Sequence, residues 1–234
     1  RYQPWIGAKI SVTPEAARNL RKSMEELYGL GVNQFILGYA HGLPWTLEDL
    51  HGYEQAMYEV CELYLEKKYN KEYFRLTLFE EGEPGEEKSY CSFGCGAGRG
   101  RFCVDSYGDI YGCSKLATIT GMHNGVLPYG NVFQGFTRIE NRLQFNISEA
   151  GPREKCAQCE FKESCGGGCP AVNYKATGSI FDPDDLGCRI VFINQRVHRY
   201  MRERTKEVFD DSSRDLLEGP DNLRSEMGGP CVES

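Results

Sequence analysis

Seven cysteines of this chain fall into one ordered pattern: Cys95, then Gly108 and Cys113, then Cys156-x2-Cys159-x5-Cys165-x3-Cys169, and last Cys188. Thiolates at such short spacings can converge on a metal, and seven or eight of them make two four-ligand centres. Two structural zinc ions would satisfy these donors. So would the iron–sulfur clusters of a ferredoxin-like electron carrier, in which the fourth cysteine of a run ligates the other cluster. Gly166, Gly167 and Gly168 separate Cys165 from Cys169. Residues this small let backbone N–H groups come close to sulfur, where they stabilise cluster charge.

The cysteines number eleven in 234 residues, and nine lie between Cys91 and Cys188. A secreted disulfide scaffold is usually shorter and even in count. No apolar run approaches the roughly 20 residues that cross a bilayer, and no stretch reads as a signal peptide. These features favour a cytoplasmic protein with reduced thiols, so metal ligation is the better reading. A net charge of −7 gives no footprint for nucleic acid. An apolar content of 40% is ordinary for a globular chain.

The elements that must position these thiols read as α/β. In residues 1–80, Ala8–Val12 is a β-prone run, and Thr13 caps a helix with Pro14 at its first position. Ala16, Leu20, Met24 and Leu27 form its apolar stripe, and Gly29 and Gly31 end it. Gln34–Leu37 reads as a strand buried on both faces. Thr46, with Asp49 as its capping-box acid, starts a helix whose stripe is Leu50, Tyr53, Met57, Val60 and Tyr64. Tyr73–Phe79 reads as a third strand. This β-α-β-α-β order predicts parallel strands with crossover helices, too short to close a barrel.

Residues 81–90, rich in glutamate, read as a linker. Residues 91–209 form a second domain, poor in regular structure before Leu186. The exceptions are a hairpin, Phe102–Asp105 with Ile110–Tyr111, and a helix from about Cys188 to Phe209 that turns Ile190, Ile193, Val197 and Met201 to one side. Residues 210–234 read as a polar tail without fixed structure.

The segments CGAGRGRFCVDSYGDIYGC at 95–113, GNVF at 130–133 and CAQCEFKESCGGGCPAVNY at 156–174 resemble the SPASM domain. That module carries auxiliary clusters at the C-terminus of radical S-adenosylmethionine (SAM) enzymes that modify peptides or proteins. The resemblance implies a small loop-rich α+β domain holding two 4Fe–4S clusters and ending in a helix. It assigns Cys156, Cys159, Cys165 and Cys188 to one cluster, and Cys95, Cys113 and Cys169 to the other. Cys91 is favoured as the missing fourth ligand over Cys103 or an open site.

The same resemblance makes residues 1–80 the C-terminal part of a partial (β/α) TIM-like barrel. The C-x3-C-x2-C triplet of the SAM-cleaving cluster is absent. The expectation is therefore a truncated enzyme, whose missing half carries SAM and a third cluster. There the 5′-deoxyadenosyl radical would abstract hydrogen from a peptide or protein substrate, leading to a cross-link or an oxidation. Implied partners are a separate peptide-recognition protein and a reductase or ferredoxin as electron donor. The alternative is a non-enzymatic metal module, either an electron carrier or a zinc-stabilised interaction domain.

Other residues carry weaker signals. Cys61 reads as core packing. His41 and Tyr39 follow a strand at its C-terminal end, where barrel enzymes place active-site groups, although a surface-loop histidine is the simpler reading. Ser114 stands where sulfatase-maturing relatives carry an aspartate base, which counts against that activity. Arg189, Arg196, Arg199 and Arg202 read as a solvated helix face.

Overall fold

A computed structural model describes residues 7–80, 96–98, 100–120, 128–145, 154–161 and 165–208. Cys91, Cys95, the 81–90 linker and the 210–234 tail lie outside the described residues. The fold is mixed α/β. The chain divides into two compact units, Arg1–Glu81 with Ile193–Ser234, and Gly82–Phe192.

In the first unit, β1 (Gly7–Val12) leads through Thr13 into α1 (Pro14–Ala17). The Thr13 hydroxyl accepts the Ala16 N–H at 3.1 Å. The single helix expected here is interrupted at Arg18–Asn19, and α2 (Leu20–Gly29) follows. The Asn19 N–H bonds the Ala16 carbonyl, three residues back. That tightened turn shifts the buried face by one position, so Ala17 and not Ala16 joins Leu20 and Met24 inside. At the far end Gly31 takes φ +97°. Val32 N–H then bonds the Leu27 carbonyl and Gly31 N–H the Tyr28 carbonyl, the Schellman pattern.

Strand β2 (Gln34–Tyr39) runs parallel to β1, pairing Ala8 with Phe35, Ile10 with Leu37 and Val12 with Tyr39. Helix α3 (Leu47–Tyr69) carries the expected capping box, with Thr46 and Asp49 exchanging backbone bonds of 2.9 and 3.1 Å. Its five predicted stripe residues are all buried. The third strand is much shorter than expected: β3 is only Arg75–Leu76, and α4 (Thr77–Glu80) follows at once. The Thr77 hydroxyl takes the Phe35 carbonyl at 3.3 Å, and Glu80 folds back onto Arg75 at 2.5 Å.

The strands lie in the order β1-β2-β3, all parallel. Right-handed crossovers between sequential parallel neighbours place their helices on one face of the sheet. Val12, Phe35 and Leu76 are accordingly fully buried, whereas Lys9, Ser11 and Ile36 point outward. Ile36 is 50% exposed, so β2 is covered on one face and not on both as predicted.

In the second unit, β4 (Cys103–Val104) and β5 (Asp109–Tyr111) form the expected antiparallel hairpin. The Asp105 carboxylate accepts the N–H groups of Tyr107 and Asp109 at 2.8 and 3.0 Å, and Gly108 supplies φ +84°. More regular structure follows than the sequence indicated: α5 (Ser114–Thr120), β6 (Gly130–Asn131, antiparallel to β5), α6 (Ile139–Leu143), a 3-10 turn at Glu154–Cys156, and α7 (Pro170–Thr177). Helix α7 opens on Pro170 and closes on Gly178 at φ +80°, the usual proline-in, glycine-out pair. Leu116, Tyr129, Phe145, Ala171 and Ile180 anchor the core of this unit.

Helix α8 (Asp185–Val208) belongs to both units. From Ile193 onward it groups with the first unit. Ile193 and Val197 are buried there. Arg196 grips Glu54 of α3 through bonds of 2.6 and 2.8 Å, and Tyr200 and Arg204 both donate to Glu62. No described helix is long and apolar enough to cross a membrane.

Candidate metal centre

Four short backbone devices present the C-terminal cysteines. Cys156 closes the 3-10 turn, and the Cys159 N–H returns to its carbonyl at 3.0 Å, folding the C-x2-C pair tightly. The Cys165 N–H bonds the Phe161 carbonyl at 2.8 Å. Cys169 caps α7, with the Asn173 N–H on its carbonyl at 2.9 Å. Cys188 lies in the first turn of α8, its N–H on the Asp184 carbonyl at 3.1 Å.

Three of these thiols share one electrostatic environment. Burial pushes the Cys188 thiol up, the Lys155 ammonium opposes that, and Cys156, Cys165 and Asp184 add to the rise. These groups come from three separate segments of chain. The same segments meet in an aromatic contact: Phe161, between Cys159 and Cys165, packs edge to face on Phe192, one turn past Cys188, with centroids 5.0 Å apart. Lys155 is itself anchored, donating to the Pro183 carbonyl at 2.9 Å and to the Asp185 carboxylate.

Cys169 and Cys113 occupy a different setting. Both are half-buried and pack against the second unit's core, each directly ahead of a helix, and those helices, α5 and α7, touch. The chain just past Cys95 is drawn to the same place. Gly98 N–H reaches the carbonyl of Gly112, the residue before Cys113, at 3.4 Å. The Tyr129 hydroxyl fills the space where side chains at 98 and 112 would stand: a Cβ would come within 2.9 and 2.4 Å of it.

Among the described residues, no two cysteines are joined as a disulfide. Among the described residues, no three His, Cys, Asp or Glu side chains gather at the distance a single metal ion requires. The glycine run acts on backbone geometry: Gly167 and Gly168 sit at φ +77° and +83°, and the Gly167 N–H meets the Cys165 carbonyl at 2.6 Å.

The remaining candidates are dispersed. Cys103 is half-buried on β4, opposite Tyr111. Cys61 is fully buried in α3, and burial pushes its thiol up to about 12. His41 meets Tyr39 at a tilt, with ring centres 4.0 Å apart, and Trp45 donates to the Ala40 carbonyl. Arg189, Arg199 and Arg202 are exposed as expected, while Arg196 is committed to Glu54. Sequence inspection passed over Lys155, Asn173 and Asp184. A polar Asn in the otherwise apolar start of α7 was the available signal.

A scan against protein-family models finds no match, and a search of curated proteins finds none either.

Proposed function

We propose that this chain is the cluster-bearing C-terminal part of a radical SAM enzyme that modifies a peptide or protein. Cys156, Cys159, Cys165 and Cys188 would hold one 4Fe–4S cluster, and Cys95, Cys113, Cys169 and Cys91 the other. The division is supported, for the described thiols, by geometry: Lys155 and Phe161 tie the segments of Cys156 and Cys165 to the start of the helix of Cys188, while Cys113 and Cys169 pack against the core. A zinc ion needs four donors within about 2.3 Å of one point. A four-iron cluster takes one thiolate at each iron, so its cysteines stand farther apart. Metal analysis distinguishes the two.

Bound clusters would supply one-electron transfer, and SAM chemistry would belong to a domain beyond this chain. Here Lys155 places its cation beside Cys188, and Phe161 and Phe192 join the segment between Cys159 and Cys165 to the helix of Cys188. The sequential parallel strands β1–β3, covered on one face, fit the late part of a partial (β/α) barrel. Expected partners remain a peptide or protein substrate, a peptide-recognition protein, and a reductase or ferredoxin.

Anaerobic purification and metal analysis test the proposal. Brown protein with about eight irons and matching sulfide supports it. Cys156→Ala and Cys188→Ala should each lose about half of that iron, and Cys113→Ala and Cys169→Ala the other half. Colourless protein with two zincs would establish the zinc-stabilised module instead, and one four-iron centre spanning all the thiols would refute the division.

A further inference from the structure

We infer that Asn173 is the positioning residue of the C-terminal cysteine set, locking the glycine segment after Cys165 to the start of the helix that carries Cys188. This rests on the cluster assignment proposed above.

Asn173 is 0% exposed, inside a small unit with few fully buried polar side chains. Burial of a carboxamide is costly unless its hydrogen bonds are made. Here they are. Nδ2 donates to the Gly167 carbonyl at 2.8 Å and to the Ile180 carbonyl at 3.2 Å, and Oδ1 accepts the Asp184 N–H at 3.2 Å. The two carbonyls require donors and the N–H requires an acceptor, so the orientation of the amide is determined by its partners.

Two of the three partners, Gly167 and Asp184, lie close to a cysteine in the chain. Gly167 lies two residues past Cys165 and two before Cys169. Asp184 starts α8: its carboxylate accepts the Gly187 N–H at 3.0 Å and its carbonyl accepts that of Cys188 at 3.1 Å. The backbone of Asn173 is tied to Cys169 through the first turn of α7. One side chain thus connects the Cys165–Cys169 segment to the first turn of α8. Gly168 is shaped to admit it, because a Cβ there would stand 3.1 Å from Oδ1 on a backbone at φ +83°.

An apolar residue of similar volume would fill this space but leave the Gly167 and Ile180 carbonyls and the Asp184 N–H without this partner. What a saturated amide adds is a fixed separation between the segments it bridges. A core residue of purely structural value would affect the metal-free and loaded chains equally. Asn173 instead should set how well the thiolates at 165 and 188 fit one cluster.

The test uses the full chain in two arms. In the metal-free wild type, the Asp184 amide should exchange with solvent roughly 100-fold or more slowly than an unprotected amide. Exchange at the unprotected rate would overturn the inference, whatever the variants do. In the second arm, Asn173→Leu, which introduces no buried charge, is loaded anaerobically with ferrous iron and sulfide. It should lose about half of the bound iron, or shift the electron paramagnetic resonance signal of the centre lost in Cys188→Ala, while the other centre's signal stays. Wild-type iron content and both signals unchanged would overturn the inference; if the variant fails to fold, the exchange measurement decides. Wild-type chain that takes up no iron would refute the cluster assignment, and with it this role, even with Asp184 protected.

Discussion

The Lys155 ammonium acts on the Cys188 thiol while tethered to the Pro183 carbonyl and the Asp185 carboxylate. A cation fixed beside a thiolate favours the more negative, reduced state of anything that thiolate ligates. Lys155→Met should therefore move the midpoint potential of the Cys156–Cys188 centre to more negative values and leave the other centre unchanged. Partial exposure of Lys155 and solvent screening hold the shift to tens of millivolts. A redox titration followed by electron paramagnetic resonance measures it. Equal shifts in both centres would show that Lys155 acts through the fold and not through its charge.

Cys61 provides the internal control. Burial in α3 pushes its thiol up to about 12, far above the roughly 8.5 of a free cysteine. An acid whose folded value is raised favours the folded state while it stays protonated. That contribution is complete below the unfolded value and lost as pH rises from there toward 12. In the native chain Cys61 should resist alkylation by iodoacetamide at pH 8.5 and react after denaturation, as peptide mapping would reveal. Cys61→Ala should cost about 1–2 kcal/mol and leave iron content unchanged. Loss of iron in that variant would contradict its assignment to the core.

Much of the first unit was legible because its signals are local. Thr13 with Pro14, the Thr46–Asp49 box and the Gly31 terminus each depend on residues within one turn, and each forms. The five-residue stripe of α3 needs only the helical period. Failures occurred where the deciding partner is remote or the element is short. Tyr73–Phe79 has strand composition, but the Thr77 hydroxyl takes the Phe35 carbonyl from another strand. Helices α5, α6 and α7 span between five and eight residues, too few for a period to emerge, and owe their stability to packing. The cysteines most readily grouped from spacing were those at 156–165. Asn173 and Lys155 were passed over because burial and charge neighbours arise only when distant segments meet.

Two glycines near β6 separate steric from conformational demands. A Cβ on Gly130 would come 2.0 Å from the Gly135 carbonyl oxygen and 2.8 Å from the Phe136 Cα, both backbone atoms with little room to yield. Gly135 has open space but sits at φ +76°. Gly135→Ala should cost about 1 kcal/mol, the strain of a left-handed alanine. Gly130→Ala should cost about 2–3 kcal/mol or more, because β6 must leave the sheet or the 135–136 backbone must move. Denaturant titrations of both variants compare them directly. Equal losses would mean that the close approach at Gly130 relaxes easily.

The contact between Arg196 and Glu54 makes a pH-dependent prediction for the first unit. The bidentate guanidinium holds the Glu54 carboxyl below its usual range, against the opposing effect of burial. A carboxylate whose folded value is depressed stabilises the fold in full above its unfolded value, near pH 4.3, and loses that contribution as pH falls through the folded value. Arg196 is half exposed, so screening limits the pair to about 1 kcal/mol or less. Arg196→Met should thus be less stable than wild type at pH 7, with the difference narrowing as pH falls below about 4.3. Thermal melts across that range, repeated with Glu54→Gln and the double variant, isolate the pair. A gap that stays constant into acid would assign the loss to the Arg196 stem packing on α3 and not to its charge.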